Sequence, residues 1–252
     1  MPMTSDVLAL IPARGGSKGI PRKNVMMVAG RPLLAYSILQ ARASARIGRV
    51  IVSTDDPEIA AVARHWGAEV PFIRPRAYAE DLSPDFDVFR HALVWLREAE
   101  GYRPDLVVHL RPTAPTRRVE LIDQAIDLLA AHPEADAVRS VSLAHQTPYK
   151  MWRISPAGYL EPVVRLDGAP DCQSWPRQRL PPVYWQNGYV DVVRPRAVLD
   201  KGSMWGACAI PFVVEEPLLE LDYPENIPAV EAALERLPGG AAPDAAPVRH
   251  PV

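Results

Sequence analysis

The segment Leu8–Asn24 constrains the fold most strongly, because it joins an apolar run to a loop rich in glycine and positive charge. Val7–Ile11 is wholly apolar, which predicts a strand buried on both faces. The loop that follows carries three glycines and the cations Arg14, Lys18, Arg22 and Lys23. Glycine lets a backbone turn its N–H groups towards a ligand, and cations hold phosphates. The segment therefore predicts an open α/β sheet that binds a polyanionic phosphate chain at the carboxyl end of its first strand.

The spacing of this loop excludes two common phosphate signatures. A Walker A loop needs Gly-x4-Gly-Lys-Ser/Thr, the dinucleotide fingerprint needs Gly-x-Gly-x-x-Gly, and neither spacing occurs here. The alternative is a solvated loop after an edge strand. Its place at the end of the first strand favours a ligand site.

The loop resembles the signature of the acylneuraminate (CMP-sialic acid) cytidylyltransferase family, Pro-Ala-Arg-x-x-Ser-Lys-x-x-Pro-x-Lys-Asn. The matching residues are Pro12, Ala13, Arg14, Ser17, Lys18, Pro21, Lys23 and Asn24. The resemblance implies that the loop cradles the triphosphate and the cytosine of CTP. The nucleotide contacts that it implies are Leu10, Ala13, Arg14, Gly15, Gly16, Ser17, Lys18, Lys23 and Asn24.

Composition excludes several classes of protein. A chain of 252 residues suits one sizeable α/β domain, and a net charge of −2 offers no basic surface for nucleic acid. We find no run of about 18 apolar residues and no signal peptide, so we expect a cytoplasmic protein without a membrane partner. Cys172 and Cys208 lie far apart and the six histidines are scattered, which predicts reduced thiols and no zinc site.

Hydrophobic periodicity predicts alternating strands and helices. The predicted strands are Val7–Ile11, Val50–Ser53, Val70–Ile73, Leu106–Leu110, Ala137–Val141, Tyr189–Val193 and Ala207–Val214. The predicted helices begin near Pro32, Pro57, Phe86, Val119 and Pro224. With the resemblance, this pattern implies a three-layer Rossmann-like nucleotidyltransferase fold, with a mostly parallel mixed sheet and a small β-rich dimerisation arm. The predicted nucleotide-binding domain spans 1–144 and 186–238, the inserted arm spans 145–185, and 239–252 is a disordered tail.

Polar residues at other predicted strand ends extend the nucleotide site. Ser53 and Asp55 match a Ser-Thr-Asp that lies near the ribose and the base in the family, although local chemistry alone favours a turn residue at Asp55. Arg74 and Asp81 match the family's Arg-Pro-x-x-x-Ala-x-Asp stretch. Asp81 has two open interpretations, because it can fix its own loop or contact the ligand.

Arg111, Pro112 and Thr113 follow the strand Leu106–Leu110 and resemble the family's Gln-Pro-Thr, with Arg111 in place of Gln. The resemblance implies that this residue lies between the nucleotide and the sugar. Guanidinium forks suit a carboxylate or a phosphate. The alternative is a surface arginine paired with an acidic neighbour, and the position at a strand end favours function.

The predicted arm, 145–185, holds seven prolines and three tryptophans without a helical period. So much apolar bulk on one small arm predicts an interface. The resemblance implies a homodimer in which the arm reaches the partner's active site. It also implies substrate contacts, with solvated charges or a turn as the alternatives, at Lys150, Arg177, Gln178 and Asn187.

Glu220 and Asp222 are two apart, and in a strand they would point to the same side. Two carboxylates beside substrate phosphates are typical of Mg²⁺ sites. The resembling family has Asp-x-Asp here, so the role of Glu220 is open. Asp222 also has the alternative of capping the following helix.

The predicted reaction transfers CMP from CTP to the anomeric hydroxyl of a sialic-acid-like (nonulosonic) acid sugar and releases pyrophosphate. Arg14, Lys23 and Asp222 are the predicted catalytic residues, Mg²⁺ is the predicted cofactor, and the sequence places no histidine as a general base. Two alternatives remain at this point. One is a cytidylyltransferase for another acidic acceptor such as a phosphonate, and the other is a non-catalytic nucleotide-binding homologue.

Overall fold

The computed structural model describes residues 6–216 and 218–236. Its strands are β1 (Val7–Pro12), β2 (Met27–Val28), β3 (Arg31–Pro32), β4 (Arg49–Ser53), β5 (Leu106–His109), β6 (Ala137–Leu143), β7 (Trp152–Ile154), β8 (Leu160–Pro162), β9 (Tyr184–Val193) and β10 (Ala209–Val213). Its α-helices are α1 (Leu33–Ala43), α2 (Pro57–His65), α3 (Asp85–Ala99), α4 (Val119–Ala130), α5 (Pro195–Leu199) and α6 (Ile227–Arg236). Short 3₁₀ turns include Lys23–Val25 in the first loop and Pro224–Asn226 before α6.

One mixed sheet organises the chain, with strand order β10-β6-β9-β5-β1-β4. The pairs β1–β4, β1–β5 and β6–β10 are parallel, whereas β9 runs antiparallel to β5 and β6. Five strands therefore share one direction, which confirms the mostly parallel mixed sheet. Their carboxyl ends meet at one edge, where the loops after β1 and β5 lie side by side.

Helices cover both faces of the sheet. Ala9 and Ile11 of β1 belong to a buried cluster with residues of α1, α2 and α4. Leu8 and Leu10 point to the opposite face and pack with residues of α3 and α5. Because β1 alternates between two buried faces, its residues are all apolar up to Pro12. The predicted three-layer α/β class is confirmed.

A third cluster brings the C-terminal segment to the first loop. Ile20 of the loop packs with Leu221 and with Val230 and Leu234 of α6. The backbone N–H of Leu221 donates to the carbonyl of Thr113 at 2.7 Å. The segment 218–222 therefore crosses the end of β5 and lies against the loop after β1.

Several predicted elements differ from the structure. Val70–Ile73 is not a strand, because only Glu69 forms an isolated bridge with Ile51 and the chain then turns inward at buried Phe72. The strand β9 begins at Tyr184, inside the predicted arm. Glu220 and Asp222 lie outside any strand, and Asp222 stands at a bend.

The segment 145–185 contains the β7–β8 hairpin and a small cluster of buried Ala169, Cys172 and Leu180. Large exposed apolar side chains concentrate in and beside it, namely Leu143, Met151, Trp152, Ile154, Tyr159, Leu160, Val163, Tyr184 and Trp185. The predicted tail, 239–252, lies outside the described residues. Within 6–216 and 218–236, no helix is both long and apolar enough to cross a bilayer.

Candidate functional site

A cavity of about 390 Å³ opens where the loops after β1 and β5 face the C-terminal segment. Nine of the residues that sequence predicts for the site line it, namely Arg14, Ser17, Lys18, Lys23, Asn24, Arg111, Pro112, Thr113 and Asp222. The structure therefore brings together the first loop, the residues after β5 and one of the two predicted metal ligands.

The first loop is held by contacts that leave three of its four cations, Arg14, Lys18 and Lys23, at the cavity. Arg22 adopts a left-handed conformation with φ 57°, and its guanidinium pairs with Asp56 and Glu58 at the start of α2. Asn24 is buried and its Nδ2 donates to the carbonyl of Arg14 at 2.9 Å. Arg22 thus anchors the loop to α2 and does not line the cavity.

Gly19 fits the loop closely against the C-terminal segment. A Cβ at this position would lie 2.5 Å from the carbonyl oxygen of Asp222, so glycine is required there. The close approach brings Asp222 within reach of Lys23, whose Nζ lies 3.0 Å from Oδ1. The side chain of Lys23 is 14% exposed and that of Asp222 is 48% exposed, so the carboxylate faces the opening of the cavity.

Asp81 pairs with two other cations of the loop. Its Oδ1 lies 3.0 Å from Arg14 Nη1, and its Oδ2 lies 2.5 Å from Lys18 Nζ. The bond from Lys18 is the largest cause that holds the pKa of Asp81 below its usual value, and Arg14 adds to it. In this conformation the Asp81 carboxylate offsets part of the charge of the two cations.

A second hollow of about 1010 Å³ adjoins the cavity, and Lys18 lines both. Four further predicted residues line this hollow, namely Gly16, Asp55, Arg74 and Asp81. Asp55 Oδ1 accepts from the backbone N–H of Gly15 at 3.0 Å. Arg74 is 3% exposed, and among the described residues its Nε and Nη2 have no hydrogen-bond partner, although Asp55 lies 3.9 Å away. Burial lowers the pKa of Arg74, so the hollow holds a desolvated cation that faces it.

Arg111 is both a cavity residue and a member of an ion-pair group. Its Nη1 lies 3.1 Å from Asp191 and its Nη2 lies 3.4 Å from Asp85. The pairing expected in the alternative interpretation is therefore present. Its side chain is still 23% exposed and lines the cavity, so pairing with acidic neighbours does not remove Arg111 from the cavity wall.

The loop after β5 is supported by Arg117, which is 2% exposed. Its guanidinium donates to the carbonyls of Ala114 at 2.7 Å and Arg111 at 2.5 Å, and also to the carbonyl of Tyr189. Burial is the main cause that lowers the pKa of Arg117 to about 9. This arginine positions Pro112 and Thr113 from beneath and does not line the cavity.

Glu220 lies beside Asp222 but faces a neighbouring hollow of about 330 Å³ that Asp222 also lines. A Cβ on Gly188, whose φ is 69°, would lie 3.2 Å from Glu220 Oε1 and 3.4 Å from Arg111 Nη1. Burial raises the pKa of Glu220, and the charge of Asp222 raises it further. The described residues contain no group of three or more His, Cys, Asp or Glu side chains poised around one point.

The remaining predicted residues lie outside both hollows. Leu10 and Ala13 are core residues, and Ser53 is buried with no hydrogen-bond partner for its Oγ among the described residues. Asn187 is 1% exposed, donates to Ser142 at 2.8 Å and accepts from the N–H of Tyr189 at 3.0 Å, so its side chain is fixed inside β9, where the register with β6 shifts.

The arm residues Lys150, Arg177 and Gln178 are exposed on the segment 145–185. Arg177 donates to the carbonyl of Ala144 at 2.7 Å. Within one chain, none of the three lines the cavity.

Sequence reasoning missed five cavity residues, which are Pro12, Gly19, Asp85, His109 and Tyr223. His109 was part of an apolar run and was interpreted as strand core, yet it is the last residue of β5 and borders the cavity. The signal was a lone polar residue near the carboxyl end of a buried strand, which is where open α/β sheets place their ligands.

Comparisons with known proteins give the family and the fold of the chain. A profile of the cytidylyltransferase family matches residues 8–150. The chain is 29% identical over 231 residues to the CMP-N,N'-diacetyllegionaminic acid synthase of Legionella pneumophila, which covers 91% of this chain and 96% of that one. It is 39% identical over 120 residues to the pseudaminic acid cytidylyltransferase of Campylobacter jejuni, which covers 48% of this chain and 51% of that one. The structure of CMP:2-keto-3-deoxy-manno-octonic acid synthetase complexed with CTP superimposes with a TM-score of 0.67 at 17% identity, over 92% of this chain and 99% of that one, which is a likeness of fold.

Proposed function

The chain belongs to the cytidylyltransferase family, and from this premise we propose that it transfers CMP from CTP to the anomeric hydroxyl of a sialic-acid-like (nonulosonic) acid sugar. The hydroxyl oxygen attacks the α-phosphorus, the bond from that phosphorus to the β-phosphate bridging oxygen breaks, and pyrophosphate leaves with the electron pair. The hydroxyl proton passes to solvent. The relative that aligns over 91% of this chain is named for making the CMP derivative of such an acid.

The observation that carries this proposal is the set of three loop cations at one cavity. Arg14, Lys18 and Lys23 converge there, and in the free protein each is paired with Asp81 or Asp222. A triphosphate carries more charge than these two carboxylates and would replace Asp81 beside Arg14 and Lys18. In the transition state the same cations would stabilise the charge that develops on the departing pyrophosphate.

The adjoining hollow suits the nucleoside part of CTP. It shares Lys18 with the cavity, and buried Arg74 faces it with two donor nitrogens that have no partner among the described residues. Buried donors are seldom left unpaired in native proteins. Ribose hydroxyls or the acceptors of the cytosine ring would supply those partners.

The residues at the C-terminal segment fit a magnesium ion. Asp222 and Glu220 are close enough for the charge of one to raise the pKa of the other, and divalent cations relieve such repulsion. Asp222 at the cavity and Glu220 behind it would hold the ion, with phosphate oxygens completing its shell. The ion would supply charge neutralisation at the α-phosphate. Lys23 keeps Asp222 oriented through their 3.0 Å ion pair.

The homodimer is part of the same proposal. The exposed apolar side chains in and beside the arm are a large uncovered surface for one chain, and burying them against a second copy would stabilise the pair. The same docking would carry Lys150, Arg177 and Gln178 towards the partner's cavity.

Both cysteines are free thiols, which supports a reducing cytoplasmic setting.

One experiment tests the reaction. Pyrophosphate release is followed with CTP, Mg²⁺ and a panel of acceptors that includes N-acetylneuraminic, N,N'-diacetyllegionaminic and pseudaminic acids, a 2-keto-3-deoxy-octonic acid and a phosphonate. We expect release with a nonulosonic acid and a CMP-sugar of matching mass. Pyrophosphate release with the phosphonate alone would mean that the acceptor is a phosphonate and not a nonulosonic acid. CTP binding without pyrophosphate release in the presence of any acceptor would contradict catalysis.

A further inference from the structure

His109 is a buried polar side chain that borders the cavity. It is 1% exposed, and on the sheet it lies in register with Asp191 of β9. Its ring contacts that of Phe89 with centroids 4.8 Å apart, and its Nδ1 lies 3.9 Å from Asp85 Oδ2. Among the described residues neither ring nitrogen has a hydrogen-bond partner.

A buried polar side chain of this kind requires a hydrogen-bond partner, and the described residues do not supply one. Most buried side-chain polar atoms in native proteins are hydrogen-bonded, because an unpaired buried polar atom destabilises the folded state. Phe89 covers one side of the ring and the cavity adjoins another. A bound molecule in the cavity is therefore in a position to complete the hydrogen bonds of His109.

The charge state of the ring decides what kind of molecule it can hold. Burial is the main cause that holds the pKa of His109 well below its usual value, and the charges of Arg111, Arg117 and Arg139 lower it further. The ring is therefore neutral at pH 7, with one N–H donor and one acceptor nitrogen. If His109 took a proton from the acceptor sugar, its ring would carry a positive charge among three guanidinium groups. A general-base role for His109 is therefore disfavoured.

The groups next to His109 are already paired with one another. Asp191 lies 3.1 Å from Arg111 and 3.8 Å from Arg139, and Asp85 lies 3.4 Å from Arg111. Two carboxylates thus offset two guanidinium groups at this end of the cavity. The loop end, by contrast, presents three cations, and Asp81, the partner of Arg14 and Lys18, is exposed enough to be replaced.

We propose that His109 is a specificity-determining residue, which recognises an uncharged polar group of the acceptor, a hydroxyl or an N-acyl amide, by a hydrogen bond. This inference rests on the proposed function, because it assigns the acceptor to the β5 end of the cavity and the triphosphate to the loop end. The acceptor carboxylate then lies away from His109.

Two variants and a control test this role by kinetics. His109→Leu removes both ring nitrogens and His109→Gln keeps a donor and an acceptor. His91→Leu is the matched control, since His91 is half-buried, has an Nδ1 without a partner among the described residues, and lies outside the cavity. For His109→Leu we expect kcat/KM for the acceptor to fall roughly 10- to 100-fold, with the KM for CTP within about twofold of wild type.

The pattern across the variants separates recognition from a structural role. His109→Gln is expected to recover at least a third of the lost acceptor kcat/KM on a logarithmic scale. His91→Leu is expected to leave kcat/KM for both substrates within about twofold of wild type. Unchanged acceptor kcat/KM in both folded His109 variants, or an equal loss for CTP and acceptor, would overturn the inference while the proposed function stands.

A measurement on the wild-type protein keeps the inference testable if a variant fails to fold. The ring nitrogens of protein labelled with ¹⁵N-histidine are observed while each acid of the panel is added with CMP. The His109 signals are assigned through the contact of its ring with that of Phe89, and those of His91 by the variant His91→Leu. We expect one acid to shift both His109 ring nitrogens and leave those of His91 unmoved. No shift with any acid overturns the inference, whether or not the enzyme turns over. A shift without pyrophosphate release would instead contradict the proposed function and retain the binding role.

Discussion

Replacing Lys23 by methionine isolates the charge that the account places on the phosphates. Methionine keeps the apolar stem of the side chain and removes the ammonium. The Lys23 side chain is 14% exposed, so the charge acts in a partly desolvated site. A unit charge about 4 Å from a phosphate oxygen contributes about 4 kcal/mol at an effective dielectric constant of about 20.

That energy corresponds to roughly a thousandfold in rate, because each 1.4 kcal/mol or so is a factor of ten. Arg14 and Lys18 remain in the variant and stabilise part of the phosphate charge, so we expect kcat to fall by roughly 100- to 1000-fold. The fold should persist. Asp222, the partner of Lys23, is half exposed, and ion pairs of this kind contribute about 1 kcal/mol or less to stability.

Steady-state pyrophosphate release and a thermal melt of the same preparation provide the readouts. Lys201→Met is the matched control, because Lys201 pairs with Asp136 at 2.6 Å and does not line either hollow. We expect Lys201→Met to change the melting temperature and not kcat. Lys23→Met with kcat within threefold of wild type and an unchanged melt would refute the role given to this cation.

Three further changes have defined outcomes. Asp81→Asn frees two loop cations in the unliganded protein and should lower the calorimetric Kd of CTP several-fold. A raised Kd would indicate that Asp81 contacts the ligand instead. Ile154→Asp places a charge on a side chain that is 75% exposed in one chain and should convert a dimer to a monomer by light scattering without changing the monomer's helical content; an unchanged mass would move the interface elsewhere. Asp136→Asn should cost about 2 kcal/mol of unfolding free energy at pH 7, because bonds from Lys201 above all hold the pKa of Asp136 below its unfolded value. That contribution is complete above the unfolded pKa near 3.9 and is lost as pH falls towards the folded one, so wild type and variant should converge in acid melts.

The strand-and-loop pattern at the amino end was predictable because it is local. The apolar run of β1 has no polar residue to place on a solvent face, and the cations of Leu8–Asn24 are adjacent in the chain. The same holds for the helix predicted to begin near Pro57, because the preceding side chain, Asp56, accepts from the N–H groups of Glu58 and Ile59 and caps α2. Wherever neighbours in sequence decide the structure, the sequence was sufficient.

Contacts between distant segments were harder to predict. His109 belongs to a run that is otherwise apolar, and only the register with Asp191 and the packing of Phe89 place it at the cavity. Glu220 and Asp222 were expected to point to the same side if they lay in a strand, whereas they lie outside any strand, in a segment fixed by the hydrogen bond from Leu221 to Thr113. The helix α5 has five residues, too few for a helical period to be visible.

A crystal structure of the protein with CTP would show directly where the phosphates bind. We expect the triphosphate within hydrogen-bond distance of Arg14, Lys18 and Lys23, with Asp81 displaced from the first two and the nucleoside in the hollow that Arg74 faces. A well-ordered CTP bound elsewhere, with Asp81 still paired to Arg14 and Lys18, would contradict this expectation.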